Sequence, residues 1–152
     1  DGNLTVDLLT EIADRPSFAR ADLRVAPASP GKARRLRPLM GHAGTTLYVN
    51  LEEAGLLTDS TPETAVMGAH ALLEAGATRV VVTDGGNLCA EGHNDRGVIT
   101  APCPSTRVRR ITGAGDTFMA AHIAAERDGQ SPQNALITAQ KIAAKYVSGE
   151  DV

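Results

Sequence analysis

Short apolar runs alternate along the chain with stretches whose apolar positions recur every three or four residues, the signature of strands interleaved with helices. Residues 6–13 fit a short helix, and residues 23–26 a strand that Pro27 and Pro30 end. Residues 32–40 read as a basic amphipathic helix. Residues 45–49 (Thr-Thr-Leu-Tyr-Val) are β-rich and predict a strand, followed by a short helix over 50–57. Ser60 or Thr61 then caps a longer helix, with Pro62 in its first turn, that runs to about residue 75 and stops at Gly76. Residues 79–83 (Arg-Val-Val-Val-Thr) form a strand flanked by turn residues. Residues 87–91 and 97–101 suggest a hairpin around His93, Asn94, Asp95 and Arg96. Residues 106–111 predict one more strand. Two Ala-rich helices, 115–127 and 132–148, follow with Gly129 between them. The sum is an α/β fold.

Composition narrows this further. The 152 residues fit one domain able to bury a core, and 42% are apolar. Aromatics are only 3% and tryptophan is absent, so the core must come from Ala, Val, Leu and Ile. A net charge of −3 argues against a general nucleic-acid binder, which would carry a basic face. The apolar runs are too short to cross a bilayer, so no membrane partner is expected. The opening residues Asp1-Gly2-Asn3-Leu4 are not a basic segment leading an apolar one. Cys89 and Cys103 lack metal-ligand or redox spacing, and a reduced cytoplasmic setting is the simple expectation.

The chemistry concentrates at Ile111-Thr112-Gly113-Ala114-Gly115-Asp116-Thr117-Phe118, where a small-residue turn feeds directly into a helix. Unpaired amides and the positive dipole end at a helix start attract anions. Gly113 and Gly115 keep side chains away, so an anion can come close. Asp116, in the first turn, is placed to take a proton from a hydroxyl that attacks a phosphoryl group. The same residues also fit a simpler explanation, because Asp is favoured in first turns for the dipole alone. A dinucleotide fingerprint would need a third glycine that this turn lacks. Asn50 and Glu53 likewise match a capping box. Thr83-Asp84-Gly85-Gly86 matches an ordinary strand exit.

Thr112-Gly113-Ala114-Gly115-Asp116, with Thr117-Phe118 after it, resembles the signature of ribokinase-like (PfkB-type) carbohydrate kinases. Three further segments resemble that family in the expected order: Asn50-Leu51-Glu52-Glu53, Val81-Val82-Thr83-Asp84-Gly85, and the helix over 135–144. The resemblance implies a three-layer, Rossmann-like sandwich and ATP-dependent phosphotransfer to a sugar or nucleoside hydroxyl. It implies Asp116 as catalytic base and Gly113, Ala114 and Gly115 as the anion hole. Asn50, Thr83, Gly85 and Gln140 would line the ATP site, and Glu53 would help place Mg²⁺. The closest flavour is pseudouridine kinase, from Arg110-Ile111 ahead of the motif, residues 27–33, and the end Lys145-Tyr146-Val147-Ser148-Gly149-Glu150-Asp151-Val152. Arg110 puts a monovalent-cation site in doubt, and Gln140 stands where ribokinases carry Asn.

His42, His70, His93 and His122 show no metal-ligand spacing and read as surface or packing residues. Arg34, Arg35 and Arg37 read as a solvated face, and Arg107 with Arg109 as one face of a strand near the motif. Nothing in the chain matches the family's amino-terminal glycine-pair motif or lid. The sequence therefore reads as the nucleotide-binding, catalytic half of such a kinase, with much of the acceptor site elsewhere. A homodimer is expected to be possible. The competing reading is a non-catalytic or truncated nucleotide-binding module.

Overall fold

The computed structural model describes residues 1–149; the last three positions of the 145–152 resemblance, Glu150 to Val152, lie outside the described residues. Five strands form one sheet in sequence order: β1 (Leu23–Val25), β2 (Thr45–Asn50), β3 (Arg79–Thr83), β4 (Cys89–His93) and β5 (Gly97–Ala101). β1, β2 and β3 run parallel, and β4 and β5 continue antiparallel as a hairpin. Helices α1 (Val6–Asp14), α2 (Arg37–Met40), α3 (Leu51–Thr58) and α4 (Ala65–Glu74) cover one face; α5 (Ala114–Arg127) and α6 (Pro132–Ser148) cover the other.

The pleat divides the core in two, because successive side chains of a strand point to opposite faces. Leu47, Val49, Val80, Val82 and Ala90 pack beneath α1 to α4. Tyr48, Val81, Cys89 and Ala101 pack beneath Phe118, Ala121, Leu136 and Ala139 of α5 and α6. Both faces of β2 and β3 are thus buried, which explains their near-continuous apolar runs. This is the expected three-layer α/β sandwich.

Three elements differ from expectation. The basic helix over 32–40 is instead a 3₁₀ run, Pro30–Leu36, followed by the single turn of α2. Pro38 has no N–H for the Arg34 carbonyl, and its ring crowds the preceding turn. α4 is capped by Thr64, whose hydroxyl accepts from Met67 N–H at 3.2 Å, rather than by Ser60 or Thr61. The Ser60 amide still closes the turn from α3, donating to the Gly55 carbonyl at 3.0 Å, so a helix cannot yet begin. Residues 102–112 form no strand. Arg109 and Arg110 side by side break the alternation. Their amides go instead to the Val147 carbonyl at the end of α6, at 2.9 and 3.2 Å.

The sheet–α5 interface also holds a buried ionic network. Arg79 bonds Glu91 Oε1 (2.8 Å from Nε, 2.6 Å from Nη2) and also contacts Glu126. Arg24 joins Glu126 and donates to Tyr48 Oη at 3.1 Å. His122, fully buried, meets Tyr48 Oη through Nδ1 at 2.9 Å. Its Nε2 faces Glu91 Oε2 at 3.3 Å without the alignment of a hydrogen bond. Burial is the largest influence on Glu91 and pushes its carboxyl up, but His122 and Arg79 together outweigh it and hold it below the usual range. Burial pushes the Tyr48 phenol up to about 12. Two carboxylates are matched by two guanidinium groups, the condition for tolerating such charges inside.

Candidate active site

The carboxyl ends of β2 and β3 converge with the start of α5, the place where open α/β sheets bind ligands. β2 ends at Asn50, which caps α3. Its Oδ1 accepts from the Glu53 amide at 2.8 Å, and its own amide donates to Glu53 Oε2 at 2.9 Å. The capping box open in the sequence is therefore formed. It also sets the Glu53 carboxylate, mostly buried, at the floor of a small cavity. Burial pushes the Glu53 carboxyl up, partly offset by the Asn50 amide.

That cavity, of about 130 Å³, is lined by Asn50, Glu53, Thr83, Gly115 and Asp116 among others. Thr83, Gly115 and Phe118 also line a second, larger cavity of about 420 Å³. The larger one is walled by Gly85 and Gly86 after β3, by the strap 103–111, and by Gln140, Ala143 and Val147 of α6. Gly85 has a φ of +54°, which its missing side chain permits. Gln140 is buried and its Nε2 reaches the Asn87 carbonyl at 3.5 Å. Cys103 lies in this wall, and burial pushes its thiol up. The Cys89 thiol beneath is pushed up to about 12 by burial.

The turn itself separates the roles of its residues. Gly113 caps α5 with a φ of +89°. It lies behind the cavities, where a Cβ would sit 2.5 Å from Tyr146 Oη. Gly115 is different: a Cβ there meets nothing within 4 Å. The Ala114 amide donates to the Ile111 carbonyl at 3.0 Å, so it is not open to an anion. The Thr117 amide goes to the Gly113 carbonyl at 2.9 Å. Among the described residues, the amides of Gly113, Gly115 and Asp116 have no backbone partner, and Asp116, exposed, lines the smaller cavity with Gly115.

Of the residues singled out from sequence, Asn50, Glu53, Thr83, Gly85, Ala114, Gly115, Asp116 and Gln140 line one or both cavities; Gly113 supports them from behind. The basic clusters do not reach the site. Arg34 and Arg37 hold Asp59, at 2.7 and 2.6 Å. Arg110 folds back onto the Tyr146 ring. Phe118, shared by both cavities, is a site residue that the sequence pattern does not single out: it is buried in the core between the sheet and α5.

Solved structures share this architecture. A carbohydrate kinase from Agrobacterium tumefaciens is 27% identical with a TM-score of 0.77, the match covering 100% of this chain and 49% of that one. Adenosine kinase from Schistosoma mansoni, in complex with 2-fluoroadenosine, gives 16% identity and a TM-score of 0.73, over 94% of this chain and 46% of that one. Pyridoxal kinase from Staphylococcus aureus, in complex with ADP, gives 20% and 0.71, over 95% and 59%. The last two speak for the fold alone. The chain thus spans about half the length of these relatives. A sequence search of curated proteins finds no significant match. No described helix is long and apolar enough to cross a membrane. Residues 2–151 match the model of the pfkB family carbohydrate kinases, and the chain belongs to that family.

Proposed function

We propose that this chain is the nucleotide-binding and catalytic half of an enzyme that transfers the ATP γ-phosphoryl group to a hydroxyl of a sugar or nucleoside. The observation that carries this reading is the pair of adjoining cavities. One is large and mostly apolar, suited to a base and ribose; the other holds Asp116, Asn50 and Glu53; Thr83 and Gly115 stand between them. A nucleotide seated in the larger cavity would bring its phosphates to the open amides at the positive end of α5. In this reading the amides of Gly113, Gly115 and Asp116, all without a backbone partner among the described residues, make up the anion hole, and Ala114, whose amide goes to Ile111, shapes the turn.

Asp116 accepts the proton of the attacking hydroxyl, and the three amides stabilise charge on the transferring oxygens. The oxygen donor Glu53, with Asn50 beside it, suits Mg²⁺, a hard cation that takes few protein ligands and keeps waters. Glu53, desolvated with one oxygen held by the Asn50 amide, gains most from a nearby cation. Mg²⁺ would neutralise phosphate charge there. Gln140 and Gly85 would contact the base. Pseudouridine is the first acceptor to try, on the strength of Arg110-Ile111 and residues 27–33.

The test uses the full natural polypeptide that contains these residues, with coupled ADP release over a panel that includes pseudouridine, ribose and adenosine. Acceptor-dependent release is expected. ATP binding without release for any acceptor would instead favour a non-catalytic nucleotide-binding module.

A further inference from the structure

The turn that feeds α5 is held from outside the site by the last turn of α6. The Tyr146 hydroxyl donates to the Thr112 carbonyl at 2.8 Å. Among the described residues this is the hydrogen bond that holds that carbonyl. The ring itself is held in turn: the Arg110 guanidinium lies 3.8 Å over its centroid, and Arg110 Nε donates to the Tyr146 carbonyl at 2.7 Å. The Tyr146 hydroxyl also occupies the space a Cβ would need at Gly113.

The peptide between Thr112 and Gly113 is the one that can turn over most easily, because glycine accepts either sign of φ at little cost. If it turned, the Gly113 φ of +89° would change and the Gly113 N–H, at the other end of the same peptide, would point the opposite way. The open amides of Gly115 and Asp116 follow two residues later. Resting on the phosphotransfer reading above, we infer that Tyr146 is a positioning residue for the anion-binding turn: its hydroxyl locks the Thr112–Gly113 peptide and so fixes the Gly113 N–H as the first of the three open amides, ahead of Gly115 and Asp116, that take the transferring phosphate. Arg110 steadies the ring and ties the strap 102–112 to the α6 end, where its amide shares the Val147 carbonyl with that of Arg109.

Tyr146→Phe isolates the hydroxyl. The ring, the Arg110 stack and the Val147 bonds stay, and only the Thr112 bond is lost. Three readouts in the full natural polypeptide separate the possibilities: kcat with the best acceptor, the dissociation constant for adenosine, and thermal unfolding. Misplacement of the turn should lower kcat roughly 10–100-fold. Adenosine, which carries no phosphate, should bind within about two-fold of the parent, and the unfolding temperature should hold. Asp116→Asn is run alongside. An unchanged kcat in Tyr146→Phe beside an inactive Asp116→Asn overturns the inference and leaves the phosphotransfer reading standing. Adenosine affinity and unfolding temperature falling together with kcat also overturn it, since that is the pattern of a structural prop. An Asp116→Asn variant with near-parent turnover overturns both.

Discussion

The two glycines of the turn make opposite predictions. At Gly115 a methyl group meets nothing within 4 Å, and the residue has ordinary helical backbone. Alanine there should raise stability by about 0.5–1 kcal/mol, the usual advantage of Ala over Gly in a helix. The same methyl would stand where the two cavities join, beside the open amides. Turnover should fall by on the order of ten-fold or more, because the phosphate can no longer approach those donors. At Gly113 the left-handed φ of +89° penalises any Cβ, and Tyr146 Oη lies 2.5 Å from where it would sit. The backbone cost is about 1–2 kcal/mol and the crowding roughly another 1–3 kcal/mol, so Gly113→Ala should lose about 2–5 kcal/mol. Denaturant unfolding and coupled ADP release on both variants decide it. Parent activity in Gly115→Ala would refute the placement of an anion at this turn, and a destabilised Gly115→Ala would refute the open helical setting of that residue. A Gly113→Ala variant of parent stability would refute the packing behind it.

The other predictions are shorter. Glu53→Gln keeps an acceptor for the Asn50 amide, so stability should barely move while the Mg²⁺ concentration needed for activity rises; an unchanged Mg²⁺ titration would reduce Glu53 to a cap. Glu91 and Glu126 both titrate below their ordinary value of 4.5. Their contribution to stability is therefore present above that pH and lost as pH falls through the depressed folded values, and Glu91→Gln should flatten this acid-side loss in pH-dependent unfolding curves. Arg79→Met strands Glu91, whose side chain is 5% exposed, and should cost roughly 3–5 kcal/mol in equilibrium unfolding, more than Arg24→Met beside the half-exposed Asp22. The 152-residue chain alone should self-associate in light scattering, because β1 ends the sheet with an open edge.

The strands legible in the sequence were those whose pattern follows from local burial. Val80, Val81 and Val82 are buried on both faces and announce β3 outright. The Asn50–Glu53 spacing announced the start of α3 and, through it, one wall of the site. What could not be read depended on partners distant in sequence. Whether residues 106–111 pair as a strand is decided by the carbonyls that Tyr146 and Val147 offer. His122 and Glu126 lie one turn apart on α5, but their burial depends on Arg79 and Glu91 arriving from the sheet, and no local pattern carries that. Gly113 and Gly115 looked equivalent in the motif. Only the Tyr146 ring behind one of them shows that they are glycine for different reasons.

Asp116 is proposed to remove the proton of the acceptor hydroxyl at this turn. Turnover and ATP affinity of Asp116→Asn, measured side by side in the full natural polypeptide, test it most directly. Turnover should fall by about 10²–10⁴-fold with ATP affinity largely kept, since the variant retains the amides and both cavities. Turnover within a few-fold of the parent would contradict it.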